Sequence, residues 1–279
     1  MNSSLSLSIA TFVFGFAAFL YTAAFVFNKQ QPARLAWWVT VAAVLFNGAG
    51  IIMRWIESYQ MGIGHAPLSN MYESLVFFSF TLGCIHAVYE KKYKNPAIGT
   101  FAAPIAFLAI TYASFAPGIN DRIQPLIPAL KSNWLIAHVV TCFLGYAAFA
   151  IAFGTSVLYL LKQNKEDRAP DSHSFFPKPA VLDELTHQMV MFGFLFLTIG
   201  ILTGSVWANS AWGSYWSWDP KETWSLITWL IYLALLHARL MRGWQGNRIA
   251  WISIIGFAAV LFTYFGVNYL PGLHSYAQS

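Results

Sequence analysis

Charge is scarce in this chain. Only 10% of its 279 residues are Asp, Glu, Lys or Arg, while 57% are hydrophobic and the mean hydropathy is +0.54. That balance excludes an ordinary soluble domain, which needs far more polar surface. Cysteine is scarcer still. Cys84 and Cys142 both sit in apolar runs and form no C-x-x-C pair, so thiol–disulfide chemistry is not expected of this chain. They read as small packing residues, because a free Cys behaves as a buried hydrophobe. Internal repeats and low-complexity tracts are absent as well. The longest polar segment, Lys162 to Lys178 with Pro170 and Pro177, reads as a solvated connector.

What fills the chain instead is a series of eight apolar runs separated by short polar breaks. A bilayer core about 30 Å thick requires roughly 20 apolar residues per helix, so each run is long enough to span one. The spans are expected near 7–27, 35–54, 71–89, 97–115, 133–161, 187–207, 222–242 and 249–268. The expected fold is therefore all-α: a polytopic membrane protein of about eight transmembrane helices, with residues 1–279 forming one integral membrane domain. The first run has no basic start and is followed by Lys29, the pattern of a retained helix rather than a cleaved signal peptide.

The net charge of +5 first reports orientation, and no nucleic-acid partner is expected from it. Alternate loops and helix ends hold 12 of the 16 basic residues, among them Lys29, Arg34, Lys91, Lys92, Lys94, Lys162, Lys178, Arg239, Arg242 and Arg248. The other segments hold Arg54, Arg122, Lys131 and Lys221. By the positive-inside rule the first set is cytoplasmic or stromal, which puts both termini outside.

The outer segments are aromatic and nearly devoid of the charge that solvation alone would call for. Six of the twelve tryptophans lie between Trp207 and Trp229. An interfacial aromatic belt accounts for Trp207, Trp224 and Trp229 at helix ends. It accounts poorly for Trp212, Trp216 and Trp218, expected in a loop at about 208–224 with turns at Gly213 and Pro220. Exposed indoles beside the bilayer offer flat, polarisable faces suited to a large planar ligand such as a porphyrin. Asp219, followed by Pro220, is placed as the N-cap of the next helix, a role sufficient to explain it.

Histidines complete the pattern. His138 lies one turn inside the outer end of the fifth helix, and His274 follows the eighth in the outer tail. The topology puts both on the face of the tryptophan loop. Two imidazoles on opposite sides of an iron, with aromatic walls around the ring, make a six-coordinate haem site. No C-x-x-C-H occurs, so such a haem is held non-covalently. His237 lies 13 residues beyond Trp224 on one helix, roughly 20 Å deeper at 1.5 Å per residue. It cannot share that iron. An ionisable group at such depth is either a functional site or a helix-end side chain beside Arg239. If it binds haem, the chain carries a deep and an outer station. His65 and Glu73 are left open, Glu73 as a cap, a cavity-facing acid or a partner contact.

The segment Trp212-Gly213-Ser214-Tyr215-Trp216-Ser217-Trp218-Asp219-Pro220-Lys221-Glu222-Thr223-Trp224 resembles the tryptophan-rich WWD signature of the CcsA/ResC cytochrome c assembly family. Gly64-His65-Ala66-Pro67-Leu68-Ser69-Asn70-Met71-Tyr72-Glu73-Ser74 resembles that family's outer-loop motif, and likeness extends from Asn47 onward. The resemblance implies a subunit of the system II cytochrome c synthase, a haem lyase-type complex. It implies haem b as a substrate in transit, a CcsB/ResB-like membrane partner, and apocytochrome c as recipient, with thiol-reducing proteins as further partners. Haem would enter at a deep site using His237, the opposing ligand coming from the partner, with His86 the candidate within this chain. It would then be held by His138 and His274 as axial ligands, against Trp212, Trp216, Trp218, Asp219 and Trp224. The membrane is the bacterial inner or plasma membrane or the thylakoid, with the loop on its periplasmic, outer or lumenal face. Competing readings are a CcmC-type haem-delivery protein, a b-type electron-transfer subunit and a haem exporter.

Overall fold

In the computed structural model, residues 2–163 and 177–273 are described. All the expected spans are helices: α1 Ser3–Val26, α2 Gln30–Gln60, α3 Met71–Tyr93, α4 Gly99–Phe115, α5 Asn133–Gln163, α6 Pro179–Trp212, α7 Pro220–Arg242 and α8 Asn247–Tyr264. Among the described residues there is no strand, and eight helices are long and apolar enough to cross a membrane. In hydrocarbon a helix satisfies its own backbone polar groups, so long apolar runs have this one solution.

The chain divides into two compact units. In the first, α1 packs on α2 and α4, and α3 on α2 and α4. Several of its buried polar groups are paired. Glu73 accepts from Arg54 Nε at 2.8 Å and from the Ser69 amide and hydroxyl at 2.8 Å each, which ties the start of α3 to α2. His65 is buried, with Nδ1 2.8 Å from the Ala66 carbonyl oxygen and Nε2 2.9 Å from that of Gln124. It ties loops of this unit together.

In the second unit α5 lies along α6, α7 packs on α6 and α8, and α8 on α5. The α5–α6 seam is made of small residues: a Cβ at Gly145 would stand 3.0 Å from the Gly193 carbonyl oxygen, so the two backbones approach closely. Tyr232 of α7 stacks on Phe149 of α5 with centroids 3.6 Å apart and planes 4° from parallel.

Two expectations need correction. α6 begins at Pro179, two turns before the apolar run at 187, so His187 lies inside the helix rather than at its start. Those turns carry Asp183 and Glu184, which lower hydropathy but bind Arg239 at 2.6 and 3.3 Å. Asp183 also accepts from the Gly246 amide at 2.9 Å, clamping the α7–α8 turn to α6. Trp207 is not a belt residue. It is 2% exposed, and its indole N–H donates to the Ala129 carbonyl at 2.8 Å.

Candidate functional site

The second unit holds His138, the tryptophan segment and His237. His138, on the second turn of α5, is half-buried, and its Nδ1 stands 2.7 Å from the Gly200 carbonyl oxygen of α6. A carbonyl only accepts, so Nδ1 carries the proton and Nε2 is the basic nitrogen. A carbonyl on the far ring nitrogen is how ligating imidazoles are commonly held. The ring lies nearly parallel to the Trp207 indole, 16° between planes and 5.9 Å between centroids. Gly204 makes room: a Cβ there would stand 2.5 Å from Nδ1. Trp207 in turn meets Trp212 edge-on at 4.9 Å. Trp207, expected in the aromatic belt, and Gly200 and Gly204, which the sequence did not single out, thus frame the candidate residue His138. The four-residue glycine spacing in α6 was the available signal, since small residues one turn apart open a groove for a neighbouring helix.

Trp212 closes α6, and Gly213 ends the helix in the left-handed region at φ 77°. The connection is therefore shorter than the expected loop, running only from Gly213 to Asp219. Trp218 also has positive φ, 60°, a conformation that costs a bulky side chain about 1–2 kcal/mol. Such strain concentrates at functional sites. It leaves Trp218 69% exposed, edge-on to half-buried Trp216 at 5.7 Å. Trp224, one turn into α7, packs on Phe262 of α8 at 4.1 Å. The indoles thus differ in freedom: Trp207 is locked, Trp212 and Trp224 half-buried, Trp218 open.

Asp219 takes the capping role its sequence position suggests. Its Oδ1 accepts from the Lys221 amide at 2.9 Å, and Glu222 reaches back to the Asp219 and Ser217 amides at 3.2 and 2.7 Å. Its Oδ2 accepts from the Leu273 amide at 2.6 Å, fastening the tail after α8 to the tryptophan segment. His274 is the next residue and lies outside the described ones. Asn caps a helix as well as Asp, but Asp219→Asn would turn an NH₂ donor toward one of the two N–H groups now held. With Oδ1 retained on the cap, the tail bond is lost. A bond to a charged acceptor contributes about 1.5–3 kcal/mol, so Leu273 amide exchange should quicken on the order of tenfold to a hundredfold while α7 stays helical. Unchanged exchange at Leu273 would remove the tether.

His237 lies on α7 with an exposed side chain. Among the described residues no hydrogen bond holds its ring, while neighbouring Arg239 is committed to Asp183 and Glu184. In the first unit His86 is fully buried, with Nε2 2.8 Å from Glu90 Oε2, an oxygen that also accepts from the Tyr21 hydroxyl at 2.6 Å. Its more usual ligating nitrogen is thus engaged. Among the described residues no three His, Cys, Asp or Glu side chains converge as a bare-ion site. Imidazoles offered singly suit an iron whose other four ligands come from a ring. Cys142 is buried beside His138, with Sγ 3.6 Å from Nδ1.

The model of the family described as cytochrome C assembly protein matches residues 68–274, well over half the chain. That range takes in His138, His237, His274 and the whole tryptophan segment. A protein of a Prochlorococcus marinus strain is 44% identical over 253 residues, 81% of this chain and 78% of its own length. One from a Synechococcus strain is 38% identical over 299 residues, covering 97% of this chain and 95% of the relative. One from Guillardia theta is 44% identical over 243 residues, 80% and 79% of the two lengths. All three bear the name cytochrome c biogenesis protein CcsA. This chain therefore belongs to the cytochrome c assembly protein family, as an integral membrane protein with a role in cytochrome c biogenesis.

Proposed function

We propose that this chain is the haem-handling subunit of a system II cytochrome c synthase, carrying haem b across the membrane and presenting it to the C-x-x-C-H of an apocytochrome c. The observation that carries the reading is His138: Nδ1 is held by the Gly200 carbonyl and the ring is stacked on a buried indole, the way ligating imidazoles are commonly oriented. His274 supplies the second axial nitrogen in this reading, as the family resemblance implies. The tryptophan segment lies on the periplasmic or lumenal face, where the apocytochrome arrives.

Attachment itself adds each substrate thiol S–H across a haem vinyl group, forming a C–S bond and placing the proton on the adjacent carbon. The thiols belong to the apocytochrome. This chain's contribution is to hold the porphyrin at one position and tilt, which converts an encounter into an oriented reaction. His237, exposed on α7, serves the deep station together with a ligand from a CcsB/ResB-like partner. Thiol-reducing proteins keep the substrate cysteines available.

The decisive measurement is the absorption spectrum of the purified chain with and without the co-expressed partner. A haem Soret band with the partner is expected, and a haem-free spectrum in both preparations would overturn the proposal. Trp216→Ala with Trp218→Ala should weaken outer haem retention while insertion is unchanged, because aromatic faces are lost and no membrane-spanning residue is altered. An aromatic–porphyrin contact on the scale of aromatic pairs contributes about 0.5–1.5 kcal/mol, so the double variant should lose roughly tenfold in outer haem occupancy. Full haem content would return both indoles to the interfacial belt.

A further inference from the structure

The first unit contains a cavity of about 580 Å³ that the haem route does not use. It lies where the first two turns of α2 meet the last turn of α3, at the end the charge count assigns to the cytoplasmic side. Its walls carry three cations, Arg34, Lys91 and Lys94, and two indoles, Trp37 and Trp38. The one acidic side chain in the lining, Glu90, has its Oε2 turned to Tyr21 and His86. Among the described residues none of the three cations has a carboxylate partner.

The indoles are fixed. Trp37 Nε1 donates to the Ala87 carbonyl at 3.0 Å, and Trp38 meets Trp37 edge-on at 4.7 Å. Lys91 Nζ stands 5.7 Å over the Trp37 ring, which holds the ammonium at the wall without neutralising it. Lys94 closes α3 in the left-handed region at φ 51°, where glycine is the easy residue, so the chain keeps a lysine there against its backbone preference. Beside the cavity Trp38 and Leu35 are exposed apolar surface.

We infer that this cavity binds the headgroup of an anionic glycerophospholipid, its phosphate held by Arg34, Lys91 and Lys94 and its glycerol and upper acyl chain lying against Trp37 and Trp38. Converging cations at a helix-end cleft take anionic headgroups, and indoles favour the glycerol level of the bilayer. A haem entering here is disfavoured by the lining, which among the described residues holds no His, Met, Cys or Tyr to ligate iron.

The test is native mass spectrometry of the detergent-purified full chain with phosphatidylglycerol and phosphatidylcholine of identical acyl chains. The unmodified protein should retain phosphatidylglycerol in preference. In the variant R34Q/K91Q/K94G this retention should fall about fivefold per charge, on the order of a hundredfold in all. Lys94→Gly preserves the left-handed turn and the other two side chains are exposed, so helicity and elution volume should match the unmodified chain. The charge-retaining variant R34K/K91R should bind as before. Equal retention of both lipids, or undiminished phosphatidylglycerol in the triple variant, overturns the assignment. So does displacement by millimolar inorganic phosphate, which would make the site one for the free anion. A Soret shift with added haem that the triple variant abolishes would give the cavity to a tetrapyrrole instead.

Discussion

His138→Ala yields a folded, inserted protein that no longer matures c-type cytochromes. The fold is expected to survive because His138 is half-buried, and loss of its bond to the Gly200 carbonyl costs about 1 kcal/mol. Function is expected to fail because, in the proposed reading, that side chain supplies the nitrogen that fixes the iron. The fall in holocytochrome should exceed the roughly 10–100-fold that accompanies loss of a mere supporting group around a metal ligand. Gly204→Ala provides the complementary case. The ligand is intact there, but a Cβ 2.5 Å from Nδ1 displaces the ring from Gly200, and a loss of about 10–100-fold is expected. Holocytochrome is read by haem staining alongside a membrane-fraction immunoblot. Normal maturation in His138→Ala would remove this residue from the ligand role, whatever the glycine variant does.

The eight spans were readable in the sequence because a bilayer leaves a long apolar run only one conformation. Boundaries failed where polar residues extend a helix beyond the hydrocarbon, as Asp183 and Glu184 do in α6. Of the candidate site, the tryptophan segment and the cap at Asp219 were legible, since Asp-Pro before a helix is a local signal. What surrounds His138 was not. Gly200 lies 62 residues away, and its carbonyl leaves no trace in side-chain chemistry. Trp207 was misplaced for a related reason. Every face of a membrane helix is apolar, so a tryptophan near its end reads alike whether it meets lipid or is packed against Ala129 and His138. His86 and Glu90 stood one helical turn apart in plain view, yet Tyr21, which completes that buried network, is 69 residues from Glu90. Local pairs and spans are inscribed in sequence. Long-range pairs through backbone atoms are not.

His237→Ala should deplete haem at both stations and abolish maturation, whereas His138→Ala leaves the deep station filled. The asymmetry follows from order along the route. The roughly 20 Å between His237 and Trp224 forbids a shared iron, and on the proposed route haem reaches the outer station only after the deep one. The ring of His237 is exposed, so if it holds haem the proposed opposing ligand comes from a partner. His86 is a poor source, being fully buried with Nε2 on Glu90. A His86→Gln variant, which keeps a donor for that carboxylate, should therefore retain deep-site haem. Haem is measured per chain by pyridine haemochrome, with the partner co-expressed, and the stations are separated by combining each substitution with the other. In the double variant the haem content should match that of His237→Ala alone, since an empty upstream station hides whatever happens downstream. Loss of deep haem in His86→Gln would bring the second ligand inside this chain. Full haem and full maturation in His237→Ala would end the two-station route and leave the outer site to be loaded by another path.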